Sequence, residues 1–344
     1  MSKEIITLKD VSRKAGVHPS TVSLCLNNSP LVARNTLRHV QKIAREMGYH
    51  PHPHLQALMR SRRKHDPQPK PAPLGFVTFF STPEGWKTRL PNLRKTIDAA
   101  REKAESRGFL LDEIWIPPER YSRPEIEAML RERDVCAVLL SPLPQPEKTL
   151  DWPWERLAAV TIGHSLREPR INRVRSDHFK SMTTAMKACH RLGYRRPGLA
   201  LHERVDHQLE RRWFAAFMTT TREIDLGTAP RPFLTDDWRS ARFLRWVERE
   251  KPDVIFVTKP SEQLRWLQDA GYSVPGDIGL VALSIDSPGS RFSGIYEHWE
   301  LQGERGIRIL IDLITDNEFG LQDSPIISLV DGSWNPGKTL RAPG

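Results

Sequence analysis

Residues 7–60 read TLKDVSRKAGVHPSTVSLCLNNSPLVARNTLRHVQKIAREMGYHPHPHLQALMR, and no other stretch constrains the fold as much. Apolar residues recur there at helical spacing in three short runs, each closed by a helix breaker. Thr7 opens T-L-K-D, a capping-box-like start with Asp10 three residues on. Leu8, Val11 and Ala15 share one face, and Gly16 stops the run where a tight turn is needed. His18-Pro19 restarts the chain, with Pro19 suited to a first helical position. Val22, Cys25 and Leu26 form the inward stripe of the second helix, while Ser20, Thr21, Ser23 and Leu24 face elsewhere. Asn27-Asn28-Ser29-Pro30 breaks it. A third helix turns Leu37, Val40, Ala44 and Met47 inward and ends at Gly48. Helix, glycine turn, helix is the plan of a helix-turn-helix unit, whose second helix enters the major groove of DNA.

The charge distribution points the same way. Residues 1–70 hold 13 of the 52 Lys and Arg but only 4 of the 42 acids, so they account for +9 of a total of +10. A basic excess confined to one small segment is the electrostatic footprint of a polyanion binder, and a uniformly solvated basic surface would not segregate in this way. At 344 residues the chain suits two or three domains. Its three cysteines, Cys25, Cys136 and Cys189, fit neither a disulfide framework nor a zinc site, which favours a reducing cytoplasm. Cys25, inside a helical pattern, reads as a small core residue. The opening MSKEIITLKD has no apolar core of a signal peptide, and no run approaches the length of a membrane span.

After the third helix, Tyr49-His50-Pro51-His52-Pro53-His54 leads into Leu55-Gln56-Ala57-Leu58-Met59-Arg60, a segment too short and polar to build its own core. HDPQPKPAP at 65–73 is a stiff Pro-rich linker. TLKDVSRKAGVHPSTVSLCLN, the MGYHP after the third helix and this small-apolar hinge together resemble the LacI/GalR family of bacterial transcriptional regulators. The resemblance continues more weakly through VRSD at 174–177, GYRRPGLAL at 193–201 and AGYSVPGDIGLVAL at 270–283. It implies that Pro19, Ser20 and Leu24 read base edges, that Thr21 and Ser23 hold phosphates, and that Leu58 wedges into the minor groove. Thr7, Asn27, Tyr49 and Leu55 complete the implied DNA-contacting set. Two positions depart from the family. Leu24 stands where an Arg is frequent, and leucine offers a base only apolar contact, for example to a thymine methyl. His52 replaces the usual Asn at the start of the hinge, with Pro53 able to occupy the first turn of a hinge helix.

From Leu74 onward, short apolar runs alternate with amphipathic stretches. GFVTFF (75–80), FLLDEIWI (109–116), VCAVLL (135–140), AAVTI (158–162), LAL (199–201), VIFV (254–257), IGLVAL (278–283) and IISLV (326–330) predict buried strands. Helices are predicted at 92–107, 177–192, 209–220, 241–250, 261–270 and 302–315. This alternation argues an α/β body with parallel sheets and crossover helices. The resemblance implies a periplasmic-binding-protein-like body of two Rossmann-like subdomains with an effector cleft. The expected organisation is a three-helix helix-turn-helix domain at 1–50, a hinge and linker at 51–73, and an effector-binding and dimerisation body at 74–344. Within that body, one subdomain takes about 74–165 and 297–322, and the other about 166–296 and 323–344.

No catalytic set stands out: GxGxxG, GxxxxGK[ST], GxSxG and HExxH are all absent. His164, His178, His190, His202 and His207 are scattered and read as surface or satisfied core histidines. No metal site and no cofactor is expected. The ligand expectation rests on aromatic and polar residues at loop mouths. Trp86, Trp213 and Trp238 offer flat faces for a sugar, with core packing as the alternative for each. Ser141, His207, Arg212, Lys259 and Ser284 join them as positional candidates for effector binding. The family's effector Arg is matched in register by Trp213, with Arg212 beside it, and its late Asp by Ser284, so the effector's identity does not transfer. The leading expectation is a homodimeric cytoplasmic, nucleoid-associated repressor that binds double-stranded operator DNA and is switched by a small polar metabolite such as a sugar. A regulator without a small effector, and more remotely an enzyme with a DNA-binding tail, stay open as alternatives.

Overall fold

A computed structural model describes residues 8–26, 32–47, 49, 71–117, 120–144, 149–224 and 230–342. The head contains α1 (Leu8–Ala15), α2 (Pro19–Leu26) and α3 (Arg34–Glu46). Leu8, Val11, Ala15, Val22, Cys25, Val40, Ile43, Ala44 and Tyr49 form its core. Gly16 turns the chain between α1 and α2 at φ +66°, a left-handed conformation that a residue without Cβ adopts freely. His18 starts α2: its carbonyl accepts from the backbone N–H of Thr21 and Val22, and its Nδ1 accepts from that of Ser20. Gln41 on α3 donates to the carbonyl of Cys25 (3.0 Å) and ties α3 to the end of α2. The sequence places Leu37 and Met47 inward on α3. They pack at the edge of the core, and Ile43 takes a fully inward place.

The body begins with β1 (Ala72–Thr78), α4 (Trp86–Arg89), α5 (Leu93–Glu105), β2 (Phe109–Trp115), α6 (Arg123–Glu132), β3 (Ala137–Leu140), β4 (Ala158–Ile162) and β5 (Asn172–Ser176). It continues with α7 (His178–Arg191), β6 (Pro197–Leu201), α8 (Glu203–Gln208), α9 (Arg212–Glu223), β7 (Phe233–Leu234), α10 (Ser240–Glu250), β8 (Val254–Val257), α11 (Pro260–Asp269), β9 (Gly279–Ile285) and β10 (Ser293–Tyr296). It ends with α12 (Trp299–Thr315), β11 (Ile327–Val330) and β12 (Ser333–Asn335). Contacts divide the chain into two units, residues 1–174 with 300–328 and residues 175–299 with 329–344.

In the first unit the strand order is β11-β5-β4-β3-β1-β2, and β1 to β5 pair in parallel. Phe79, Ile114, Ile126, Leu130, Val138, Leu140, Trp152 and Trp154 belong to one core cluster, with Trp152 stacked on Trp154 at 5.7 Å. Gly303 lets α12 approach α5 closely, because a Cβ there would lie 2.2 Å from the carbonyl oxygen of Thr96.

In the second unit the order is β12-β10-β9-β8-β6-β7, parallel except for β12, which runs antiparallel to β10. Successive strand residues point to opposite faces, and here both faces are covered. Val254, Phe256, Val281 and Leu283 join Met182, Met186, Trp213 and Phe217 on one face. Ile255, Val257, Leu280 and Ala282 join Phe243, Trp246 and Leu267 on the other. Double coverage is why VIFV and IGLVAL are unbroken apolar runs instead of alternating ones.

Candidate functional site

On the head, α2 presents Ser20 and Leu24 one turn apart, both exposed, Leu24 at 38%. Pro19, Thr21 and Ser23 are half-buried beside them. The Ser20 hydroxyl lies 2.8 Å from His18 Nδ1. Arg13, Lys14, Arg34, Arg38, Lys42 and Arg45 are all exposed around this small core. Tyr49, implied as a DNA contact, is 3% exposed and packs in the core, where burial pushes its phenol up to about 12. Thr7, Asn27, Leu55 and Leu58, with the hinge around His52 and Pro53, lie outside the described residues.

In an open parallel sheet, ligands bind outside the carboxyl ends of the strands, at the point where the strand order reverses. That point lies between β1 and β3 in the first unit and between β6 and β8 in the second. Trp86 and Ser141 follow β1 and β3. Trp86 is buried in the one-turn α4. Ser141 is also buried; its backbone N–H donates to Val77 (2.9 Å) and its hydroxyl to the Pro142 carbonyl (3.2 Å).

The second unit gathers its polar residues into two groups. The first surrounds Trp238, between β7 and α10. Its indole N–H donates to Glu262 (3.1 Å), and its ring lies 4.5 Å from that of His202 and 5.4 Å from that of Phe233. Burial, then the nearby Lys259 cation, lowers the pKa of His202. Asp236 accepts from the Arg204 backbone (3.0 Å), and Asp237 pairs with Arg239 and Arg242. Trp238 and its acidic neighbours are therefore engaged within the unit, and the ring takes part in packing its loop.

The second group runs from β9 to α9. The Ser284 hydroxyl donates to Glu297 Oε2 (2.6 Å), and His178 Nε2 lies 3.0 Å from Glu297 Oε1. Glu297 is 3% exposed. Burial opposes its charge, but His178, and then Ser284 and Ser176, outweigh burial and hold the carboxyl below the usual range. His178 meets Trp213 edge-on at 4.8 Å. Trp213 is a core residue, and its buried indole N–H meets no acceptor among the described residues. Next to it, Arg212 binds Glu210, which also accepts from Arg175. Asp206 is fully buried; its Oδ1 accepts from the Phe214 backbone, and burial raises its pKa. His207 is exposed on α8. Among the described residues no group of three or more His, Cys, Asp or Glu is gathered as a metal ion needs, and no helix is long and apolar enough to cross a membrane.

Residues 7–52 match the family described as bacterial regulatory proteins, lacI family. Residues 186–332 match the periplasmic binding protein-like domain. The chain thus joins a lacI-type helix-turn-helix domain to a periplasmic-binding-protein-like domain. Its head is 38% identical over 56 residues to the HTH-type transcriptional regulator MalR of Streptococcus pneumoniae, a match covering 16% of this chain and 17% of that protein. It is 46% identical over 54 residues to the regulator GalS of Salmonella typhimurium, covering 16% of each. The curated relatives are thus matched over about a sixth of their length. The whole chain has the fold of a transcriptional regulator CelR–cellobiose complex (TM-score 0.59, 18% identity, 97% of this chain and 99% of that one). It also has the fold of the lac repressor dimer bound to operator and the anti-inducer ONPF (TM-score 0.58, 17% identity, 98% and 100%).

Five residues of the body that sequence reading did not single out as site residues stand in the second group: Arg175, His178, Asp206, Glu210 and Glu297. Arg175 left no legible signal, because the strand that buries it, NRVRS, has the composition of an exposed segment. Glu297 left none either, since the buried strand it follows, β10, carries no run long enough to be read. Pairing of Glu210 with Arg175, 35 residues away, left none.

Proposed function

We propose that this chain is a sequence-specific transcriptional regulator, a homodimeric repressor that binds double-stranded operator DNA and responds to a small polar metabolite held by the body. The observation that carries the reading is α2, an eight-residue helix after a tight turn that exposes Ser20 and Leu24, in a segment holding +9 of the chain's charge. Pro19, Ser20 and Leu24 are assigned to base edges, and Thr21 and Ser23 to phosphates. Leu58 is assigned to a minor-groove wedge within a hinge and linker at 51–73. The relatives matched at the head are named as regulators, which favours a non-enzymatic role in the cytoplasm on the nucleoid. A sugar suits the body on the analogy of the neighbour solved with cellobiose. The engagement of Trp238, Asp237 and Ser284 within their own unit favours a second reading, a regulator with no small effector.

The Leu24→Arg variant tests the assignment of α2. Arginine makes a two-pronged contact to guanine that leucine lacks, worth about 1–3 kcal/mol of discrimination. Selection from randomised duplexes is expected to return sites that differ from the wild-type sites at one position per half-site, with guanine gained there. Identical preferred sites for the two proteins would remove Leu24 from the base-reading face.

A further inference from the structure

A single carboxylate oxygen on the second unit is held as a ligand's oxyanion would be. Glu210 Oε2 accepts from Arg175 Nη1 (3.1 Å), Arg212 Nε (3.0 Å) and Arg212 Nη2 (2.7 Å). The two partners differ sharply in surroundings. The Arg175 side chain is 3% exposed, whereas that of Glu210 is 55% exposed and that of Arg212 31%. A buried guanidinium is costly to leave without an anion, and the carboxylate bound to it here belongs to an exposed side chain. Its backbone is also unusual. Glu210 and Arg211 are consecutive non-glycine residues at φ +57° and +55°. Left-handed backbone is disfavoured for such residues and persists where the surroundings demand it, often at binding sites. Burial lowers the pKa of Arg175. Burial works against the Glu210 charge too, but Arg212 and Arg175 hold its carboxyl below the usual range. The planar donors of two arginines suit carboxylate and phosphate oxygens, and a neutral hydroxyl gains much less from them.

We propose that the small molecule sensed by this protein carries an oxyanion, a carboxylate or a phosphate, that displaces the Glu210 carboxylate from Arg175 and Arg212. Glu210 is then a built-in competitor that holds the site closed against neutral ligands and weak anions. The inference rests on the reading of the chain as an effector-responsive regulator and names the chemical class of the effector.

The test uses the full-length chain and three probes: inorganic phosphate, malonate and, as a neutral control, glucose. Glu210→Gln keeps the shape and removes the competing charge, so its Kd for phosphate or malonate is expected to fall by about tenfold or more, since a tethered competitor acts at high effective concentration. The same anion is expected to raise the melting temperature of the variant more than that of the wild type. Adding Arg212→Gln to Glu210→Gln is expected to abolish the gain, and glucose is expected to show no difference. Should Glu210→Gln fail to fold, Glu210→Asp keeps the charge but withdraws it by one methylene, and a smaller gain in the same direction is expected. A gain for phosphate alone assigns a phosphate ester, and a gain for malonate alone assigns a carboxylate. Unchanged anion affinity in the Glu210 variants, or a gain that survives Arg212→Gln, overturns the proposal. Duplex binding by the same preparations separates the two claims. Sequence-specific DNA binding without an anion gain sinks this proposal alone, and an anion gain without it sinks the regulator reading.

Discussion

Raising the salt from about 50 to about 200 mM is expected to lower the affinity for duplex DNA by about three to five decades, given roughly six to ten phosphate contacts. The argument begins with composition: the first 70 residues hold +9 and the rest of the chain +1, with 39 bases against 38 acids. The fold then displays that charge, since Arg13, Lys14, Arg34, Arg38, Lys42 and Arg45 are exposed around a core of only three helices. Each cation that meets a phosphate releases condensed counterions, so the logarithm of the binding constant falls linearly with the logarithm of salt, by about 0.9 per contact. A titration at several salt concentrations reads the slope directly. A flat response would leave the basic head as a merely solvated surface.

Glu297→Ala is expected to destabilise the protein by about 1–3 kcal/mol, the usual consequence of leaving buried polar groups without a hydrogen-bond partner. Glu297 is 3% exposed, and His178 beside it is also buried, so the imidazole loses a partner that water reaches poorly. The Ser284 hydroxyl would lose its acceptor as well. In a thermal melt the loss appears as a lowering of several degrees. The same pair sets an acid limit. Because the Glu297 carboxyl titrates below its unfolded value in the folded protein, its contribution is present above the ordinary glutamate pKa of about 4.3 and fades as pH falls through the depressed folded value. The variant is therefore expected to lose less stability than the wild type between about pH 5 and pH 3. A change below about 0.5 kcal/mol at neutral pH would show that the Glu297 contacts contribute little to stability.

Much of the fold was legible because burial left a periodic trace. AAVTI and VIFV became β4 and β8 at the expected bounds. Double coverage of the sheet makes such runs apolar throughout. In contrast, β5 went unread, since NRVRS has a single large apolar residue and yet is buried at every position. Its charges are satisfied internally: Arg173 donates to the carbonyls of Gly163 and Leu166. Helix α6 was missed although its start was readable, for Ser122 and Glu125 form a capping box around Pro124.

The candidate site was less legible than the fold. Trp213 and Trp238 were singled out for aromatic faces at loop mouths, but tryptophan also fills cores, and both rings pack within their own unit. Glu210 and Arg175 are distant in sequence and meet only because the fold brings them together. A local pattern carries no trace of such a pair. In the head, by contrast, the outward placement of Ser20 and Leu24 was readable from spacing, and both are exposed on the same helix.

The central claim is that the head reads a DNA sequence and does not merely bind charge. Its most direct test is the ratio of dissociation constants for the duplex that the full-length protein selects from a random pool and for a scrambled duplex, both at about 150 mM salt. A ratio of about a thousand or more is expected, with the selected duplex carrying two inverted half-sites. A ratio near one, with no enriched sequence, would contradict the account.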